Sequence, residues 1–163
     1  MKRVAIITSS DAGYAGERED KSGPAIKEIA EKEGYQVVSM DILPDDRDML
    51  ARRMAQIADE NLAELILTTG GTGFSKRDVT PEATADIVER RADNLTFAMI
   101  ANSLQYTPKA MLSRGIAGIR ENTLIVNLPG SPKAVRENLE YAIDAIIHGV
   151  KILKGDDAEC ARK

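Results

Sequence analysis

The chain has 163 residues, 43% hydrophobic and 29% charged; that length fits one domain with a real core, and the composition argues against wholesale disorder. Its 22 Lys and Arg against 26 Asp and Glu give a formal net charge of -4, which speaks against general nucleic-acid binding but leaves room for a local cation cluster on a small anion. The single cysteine, Cys160, allows no internal disulfide and fits a reducing compartment.

RVAIITS (3–9) is a β-branched run bounded by the turn-like SSDAGYAG, which reads as a buried strand. The apolar stretch there is about five residues, short of the roughly 7–15 of a signal-peptide core. No run approaches the roughly 20 apolar residues of a membrane span, so the expectation is a cytoplasmic protein without a membrane partner. Ser22 precedes Gly23-Pro24 and the periodic AIKEIAEKE, closed by Gly34, which predicts a helix with Ser22 as its N-cap. YQVVSMDIL (35–43) reads as a second strand ended by Pro44. From Arg47, the apolar residues Met49, Leu50, Met54, Ile57 and Ala58 share a helical face. ELILTT (64–69) is a third strand. Thr80-Pro81 opens the next helix, with Thr80 as N-cap and Pro81 in the first position. Residues 94–112 read as helix broken at Pro108, and residues 115–128 as two short strands around Glu121-Asn122. Ser131-Pro132 starts a long helix whose buried face carries Val135, Leu139, Ala142, Ile143, Ile146 and Ile147. The expectation is one α/β domain over residues 1–155, a three-layer fold with a mostly parallel sheet and helices on both faces, and a frayed tail at 156–163.

In such folds ligands lie beyond the carboxyl ends of the strands. SSDAG, Pro44-Asp45, the glycine run and NLPGSP all follow predicted strands, so they should gather at one edge. The glycine run, LTTGGTGFSKRDVTPEA (67–83), lacks both the Gly-Lys-Ser/Thr ending of a Walker loop and the spacing of a dinucleotide fingerprint. Its glycines can aim N–H groups at an anion, or they can simply turn a strand into a loop. Thr80, Pro81 and Glu82 are explained as a helix start. Asp78 is not, and a carboxylate beside a phosphate nest makes sense when a cation such as Mg²⁺ lies between them. Asp45 is a second carboxylate of this kind, or else a helix cap that Asp46 or Asp48 could equally supply. NLPGSPKA is a turn feeding a helix whose N-terminus favours anions. His148, the only histidine, sits among apolar helix residues and reads as structural; a His/Cys metal site is excluded by count and a Ser-His-Asp triad is disfavoured.

Seven segments, ITSSDAG, DKSGPAI, ILPDD, LTTGGTG, RDVTPEA, AMLSRGIAG and NLPGSPKA, occur in order between residues 6 and 134. Together they resemble the MogA/MoaB family of molybdenum-cofactor biosynthesis, including the G domains of gephyrin and its plant counterpart. That resemblance implies an adenylyltransferase that joins AMP from ATP to molybdopterin, with Mg²⁺. It also implies a homotrimer and hand-over of the product to a metal-insertion enzyme. By the same resemblance Asp45 and Asp78 are the catalytic and metal-holding acids. Thr69, Gly70, Gly71, Thr72, Gly73, Asn127, Pro129 and Gly130 would bind the nucleotide, and Ser10, Asp11, Ser113 and Arg114 the pterin. Lys76, Arg77, Arg114 or Lys133 could offset phosphate charge. Two alternatives share the topology: a catalytically silent MoaB-type paralogue that binds pterin or nucleotide or serves assembly, and a related domain of metal-insertion or competence-damage proteins.

Overall fold

A computed structural model describes residues 2–156; Cys160 and the tail expected to fray beyond Asp156 lie outside the described residues. Six strands form one sheet in the order β2-β1-β3-β6-β5-β4. β1 (Arg3–Ser9), β2 (Gln36–Leu43), β3 (Leu65–Thr69) and β6 (Thr123–Leu128) run parallel, while β5 (Ala117–Arg120) and the two-residue β4 (Arg90–Arg91) add an antiparallel edge. β5 and β6 are the two strands expected around Glu121-Asn122, with Glu121 at φ 49 in the turn. β4 is not legible as a strand in the sequence, because two exposed arginines carry no alternation.

The central strands read as unbroken apolar runs because both of their faces are covered. Val4, Ile6, Leu65, Leu67, Leu124 and Val126 face one side. They pack on α2 (Ser22–Lys32) through Ile26 and Ile29, on Met99 of α5 (Asp93–Ser103), and on Val135, Leu139, Ile143 and Ile146 of α6 (Pro132–Lys154). Ala5, Ile7, Ile66 and Ile125 point the other way, onto Leu50, Met54 and Ile57 of α3 (Arg47–Asp59) and Ala83 of α4 (Thr80–Ile87). The sheet therefore lies between two helical layers.

Several helix starts differ from expectation, each for a local reason. SSDAGY is not a plain turn: Asp11–Tyr14 forms a one-turn helix, α1, because Ser10 Oγ accepts the Gly13 N–H at 3.0 Å. Ser22 does not cap α2 but begins it. Asp20 takes over, its Oδ1 accepting the N–H groups of Ser22 and Gly23 at 3.0 and 3.1 Å, while Ser22 Oγ donates to the Gly130 carbonyl at 2.7 Å. Thr80 likewise lies inside α4, its hydroxyl donating to Gly70 O at 3.0 Å. Tertiary acceptors outcompete the local cap in both cases. Asp46 caps α3 and Ser131 caps α6, through the N–H groups of Met49 and Ala134. The break near Pro108 separates α5 from a 3₁₀ turn, Pro108–Leu112, as the restriction before proline demands. α6 ends at Lys154, with Gly155 left-handed at φ 78.

Glu64, just before β3, ties the sheet's opposite edge. Its carboxylate accepts the Arg3 backbone N–H at 2.8 Å and the Arg3 guanidinium at 2.9 and 2.5 Å. Burial pushes its pKa up, but the Arg3 bonds and charge outweigh that and hold it below the ordinary glutamate range. The resulting stability is present above the unfolded glutamate pKa and lost as pH falls through the lower folded value. Glu64→Gln should therefore lower the melting temperature at neutral pH, a cost of about 1–3 kcal/mol. In thermal melts followed from neutral pH into acid, the gap between variant and parent should close below about pH 4.

Candidate functional site

Connections leave β1 toward β2 on one side and return to β3 on the other, so the strand order reverses between β1 and β3. That reversal point is where open α/β sheets form their crevice. A cleft of about 660 Å³ opens there, walled by Thr8–Ser10 at the end of β1, Asp45 after β2, Thr69–Gly71 at the end of β3 and Gly130–Pro132 after β6. All four expected segments meet at this edge.

Gly70 and Gly71 take φ values of 87 and 67, a region that non-glycine residues rarely adopt. Space is also lacking: a Cβ on Gly70 would lie 2.4 Å from the Ser9 carbonyl oxygen, and one on Gly71 2.4 Å from Thr80 Oγ1. The N–H groups of Gly71, Thr72 and Gly73 donate to no acceptor among the described residues. A turn with open donors is suited to an anion.

Three aspartates line this cleft. Asp45 accepts the Ser9 hydroxyl at 2.6 Å and the Asp11 N–H at 3.2 Å, so its position is fixed by the end of β1. Asp78 accepts the Ser75 N–H through Oδ2 at 3.0 Å. Asp20 is not singled out by the sequence reading; it accepts the Thr8 hydroxyl at 2.9 Å and stands beside Arg18 and Lys21, which also line the cleft. The charged loop GEREDK carries the signal, since an acid two residues before a Ser-Gly-Pro helix start is placed to face the helix N–H groups.

Asp11 stands behind the cleft rather than in its lining. Its carboxylate accepts Arg77 Nε and Nη2, both at 2.9 Å, and the Asp45 N–H at 2.9 Å. The Arg77 hydrogen bond, then the Asp45 N–H, lower its pKa. Arg77 is thereby engaged on the outer surface. The cations lining the cleft are Arg18 and Lys21, not the Lys76, Arg77, Arg114 or Lys133 expected to offset phosphate charge.

A second, more apolar cavity of about 220 Å³ lies on the far side of the Pro129-Gly130 turn. Its lining includes Met99, Ser103, Ser113, Asn127, Pro129 and Ala134. The structure thus sorts the expected residues differently from the sequence. Ser10 joins the glycine turn in the first cleft, whereas Asn127 and Pro129 join Ser113 in the second. Asn127 is buried, donating to the hydroxyls of Thr68 and Thr84, both at 3.0 Å, and accepting the Ile116 N–H at 3.1 Å. Arg114 lines neither cavity. Ser103 carries no signal in the sequence, yet its Oγ is buried without a hydrogen-bond partner among the described residues. Such a hydroxyl at a cavity wall is free to bond a polar group that enters the cavity.

The family described as "Probable molybdopterin binding domain" matches residues 5–148. The chain belongs to this molybdopterin-binding family. A Helicobacter pylori protein named molybdopterin adenylyltransferase is 38% identical over 155 residues, covering 94% of this chain and 88% of its own length. The Drosophila melanogaster molybdenum cofactor synthesis protein cinnamon is 40% identical over 97% of the chain, but the match spans only 26% of that protein. Among solved structures, the molybdopterin biosynthesis enzyme MoaB from Thermus thermophilus superposes with a TM-score of 0.90 at 42% identity. That likeness covers 95% of this chain and 98% of the MoaB chain.

The tight approach at Gly70 supplies a direct check. Gly70→Ala must move backbone, because the obstacle is the Ser9 carbonyl, and strain at such positions costs of order 1–3 kcal/mol. A Cβ on Gly130 meets only the Gly70 backbone, no nearer than 3.4 Å. Melting curves should show Gly70→Ala clearly destabilised and Gly130→Ala nearly unchanged.

Proposed function

We propose that this chain transfers AMP from ATP to the terminal phosphate of molybdopterin. A phosphate oxygen of molybdopterin attacks the α-phosphorus, the bond from that phosphorus to its bridging oxygen breaks, and pyrophosphate leaves. The observation that carries this reading is the pairing of two unlike cavities across one turn. One is lined by Gly70 and Gly71 of the glycine turn, two cations and three aspartates, while Thr72 and Gly73 lie outside its lining; the other is small, largely apolar and edged by an unpartnered hydroxyl. Relatives named molybdopterin adenylyltransferase support it.

The first cleft takes the nucleotide, its phosphates against the glycine turn at Gly70 and Gly71 with Arg18 and Lys21 balancing their charge. The second takes the flat pterin, with Ser103 and Ser113 at its edge. Such a reaction needs positioning and charge neutralisation rather than a protein nucleophile. Mg²⁺ fits the donor set: Asp45 and Asp78 both line the first cleft, and Mg²⁺ is commonly held by one or two carboxylates plus phosphate oxygens. Asp45 and Asp78 would hold it, and it would neutralise charge on the phosphates. The homotrimer, the hand-over to a metal-insertion enzyme and a cytoplasmic location belong to the same proposal; no helix among the described residues is long and apolar enough to cross a membrane.

The deciding experiment incubates the protein with molybdopterin, ATP and Mg²⁺ and looks for adenylylated pterin and pyrophosphate. Binding of either ligand without product would favour the silent binding module instead. Asp78→Asn should abolish most turnover while leaving melting temperature and pterin binding intact, and Asp45→Asn should behave alike. Asp46→Asn should turn over normally, since Asn caps a helix as well as Asp does.

Ser103 gives an independent check on the second cavity. Ser103→Ala should weaken molybdopterin binding several-fold, the worth of one hydrogen bond of about 1 kcal/mol. Its melting temperature should be equal or higher, because an unpartnered buried hydroxyl is removed. Titration calorimetry and a thermal melt read the two effects separately.

A further inference from the structure

The resemblance assigns Arg114 to the pterin, yet its side chain is committed elsewhere. Nε donates to the Gly73 carbonyl and Nη2 to the Asp78 carbonyl, each at 2.8 Å. Nη1 donates to both oxygens of Glu82, at 2.5 and 3.1 Å. The Arg114 backbone N–H adds a bond to the Thr72 carbonyl at 2.8 Å. One residue therefore holds Thr72 and Gly73 at the start of the loop, Asp78 at its end, and the first turn of α4. The loop between Gly73 and Asp78 has little else to hold it: Phe74 at its tip is 70% exposed, and Arg77 pairs outward with Asp11.

We propose that Arg114 and Glu82 form a clamp that sets the glycine turn and the Asp78 carboxylate in register for the nucleotide, which makes them positioning residues rather than pterin contacts. For Arg114 to reach a ligand in the second cavity it would have to release two loop carbonyls and a carboxylate. Glu82 acts here through Arg114, engaging Nη1 so that Nε and Nη2 are directed at the carbonyls of Gly73 and Asp78. Lysine cannot reproduce this, because an ammonium donates from one point whereas a guanidinium spans several acceptors in a fixed plane. The inference rests on reading the first cleft as the nucleotide site.

The test uses the full chain and the variants Arg114→Lys, Glu82→Gln and their combination. ATP with Mg²⁺ and molybdopterin are titrated separately by calorimetry, and amide hydrogen exchange across residues 71–79 is followed in ligand-free protein. The clamp requires each single change to weaken ATP binding by on the order of tenfold and to raise KM for ATP, with molybdopterin affinity within about twofold of the parent. The double variant should be no worse than Arg114→Lys, since both changes remove one unit. Exchange should quicken in 71–79 while the melting temperature moves little. Loss of pterin affinity in Arg114→Lys, with Glu82→Gln binding both ligands normally, would overturn the proposal and make Arg114 a pterin contact. Unchanged exchange in both single variants would overturn it as well. Should the parent bind no ATP, the nucleotide reading fails, and the exchange comparison still decides whether the clamp exists.

Discussion

Everything at the carboxyl edge of the sheet depends on how closely the chain after β3 passes the end of β1. At Gly70 the backbone comes so near Ser9 that a single methyl group would meet its carbonyl oxygen at 2.4 Å. That approach brings the glycine turn against Ser9, whose hydroxyl in turn fixes Asp45. The donors of one loop and the acids of two others thus face a common space. A looser crossing would still give an α/β sheet, but its loops would not converge.

Hydroxyl groups then lock the loops to one another. Thr69 donates to the Pro129 carbonyl at 2.6 Å, Ser22 to Gly130, and Thr80 to Gly70. The first two tie separate segments together and the third closes the connection between β3 and α4 on itself; each satisfies a carbonyl beyond a strand end, where no ladder partner remains. The Pro129-Gly130 turn, held from two sides, becomes the wall between the two cavities. Its rigidity matters because positioning two anionic ligands is the main demand of phosphoryl transfer.

The charge arrangement follows the same logic at the edge of the site. Asp11 and Arg77 neutralise each other on the surface, and that pairing lowers the Asp11 pKa and raises that of Arg77. Both lie at the surface, so their attraction is screened and contributes little to stability. Their role is geometric: Asp11 accepts the Asp45 N–H and Asp45 accepts the Asp11 N–H. This reciprocal pair steers the chain from β1 and β2 into the cleft.

The sequence by itself determined the layers of this protein, because they follow from short-range pattern. Unbroken β-branched runs suit strands covered on both faces, and the 3.6-residue stripes of α3 and α6 name their buried sides in advance. It also marked Gly70 and Gly71 as a special turn and Asp78 as a residue that helix capping does not explain. Tertiary structure alone decided which polar side chains are available. Ser22 and Thr80 look like caps, yet the carbonyl of Gly130 on another loop and that of Gly70, ten residues back along the chain, claim their hydroxyls. Asn127 and Arg114 look like ligand contacts, yet buried hydroxyls and loop carbonyls occupy their donors. Asp20 and Ser103 look ordinary and prove to face the cavities. A hydrogen bond forms with whatever acceptor the fold brings within about 3 Å, and sequence spacing carries no record of that distance.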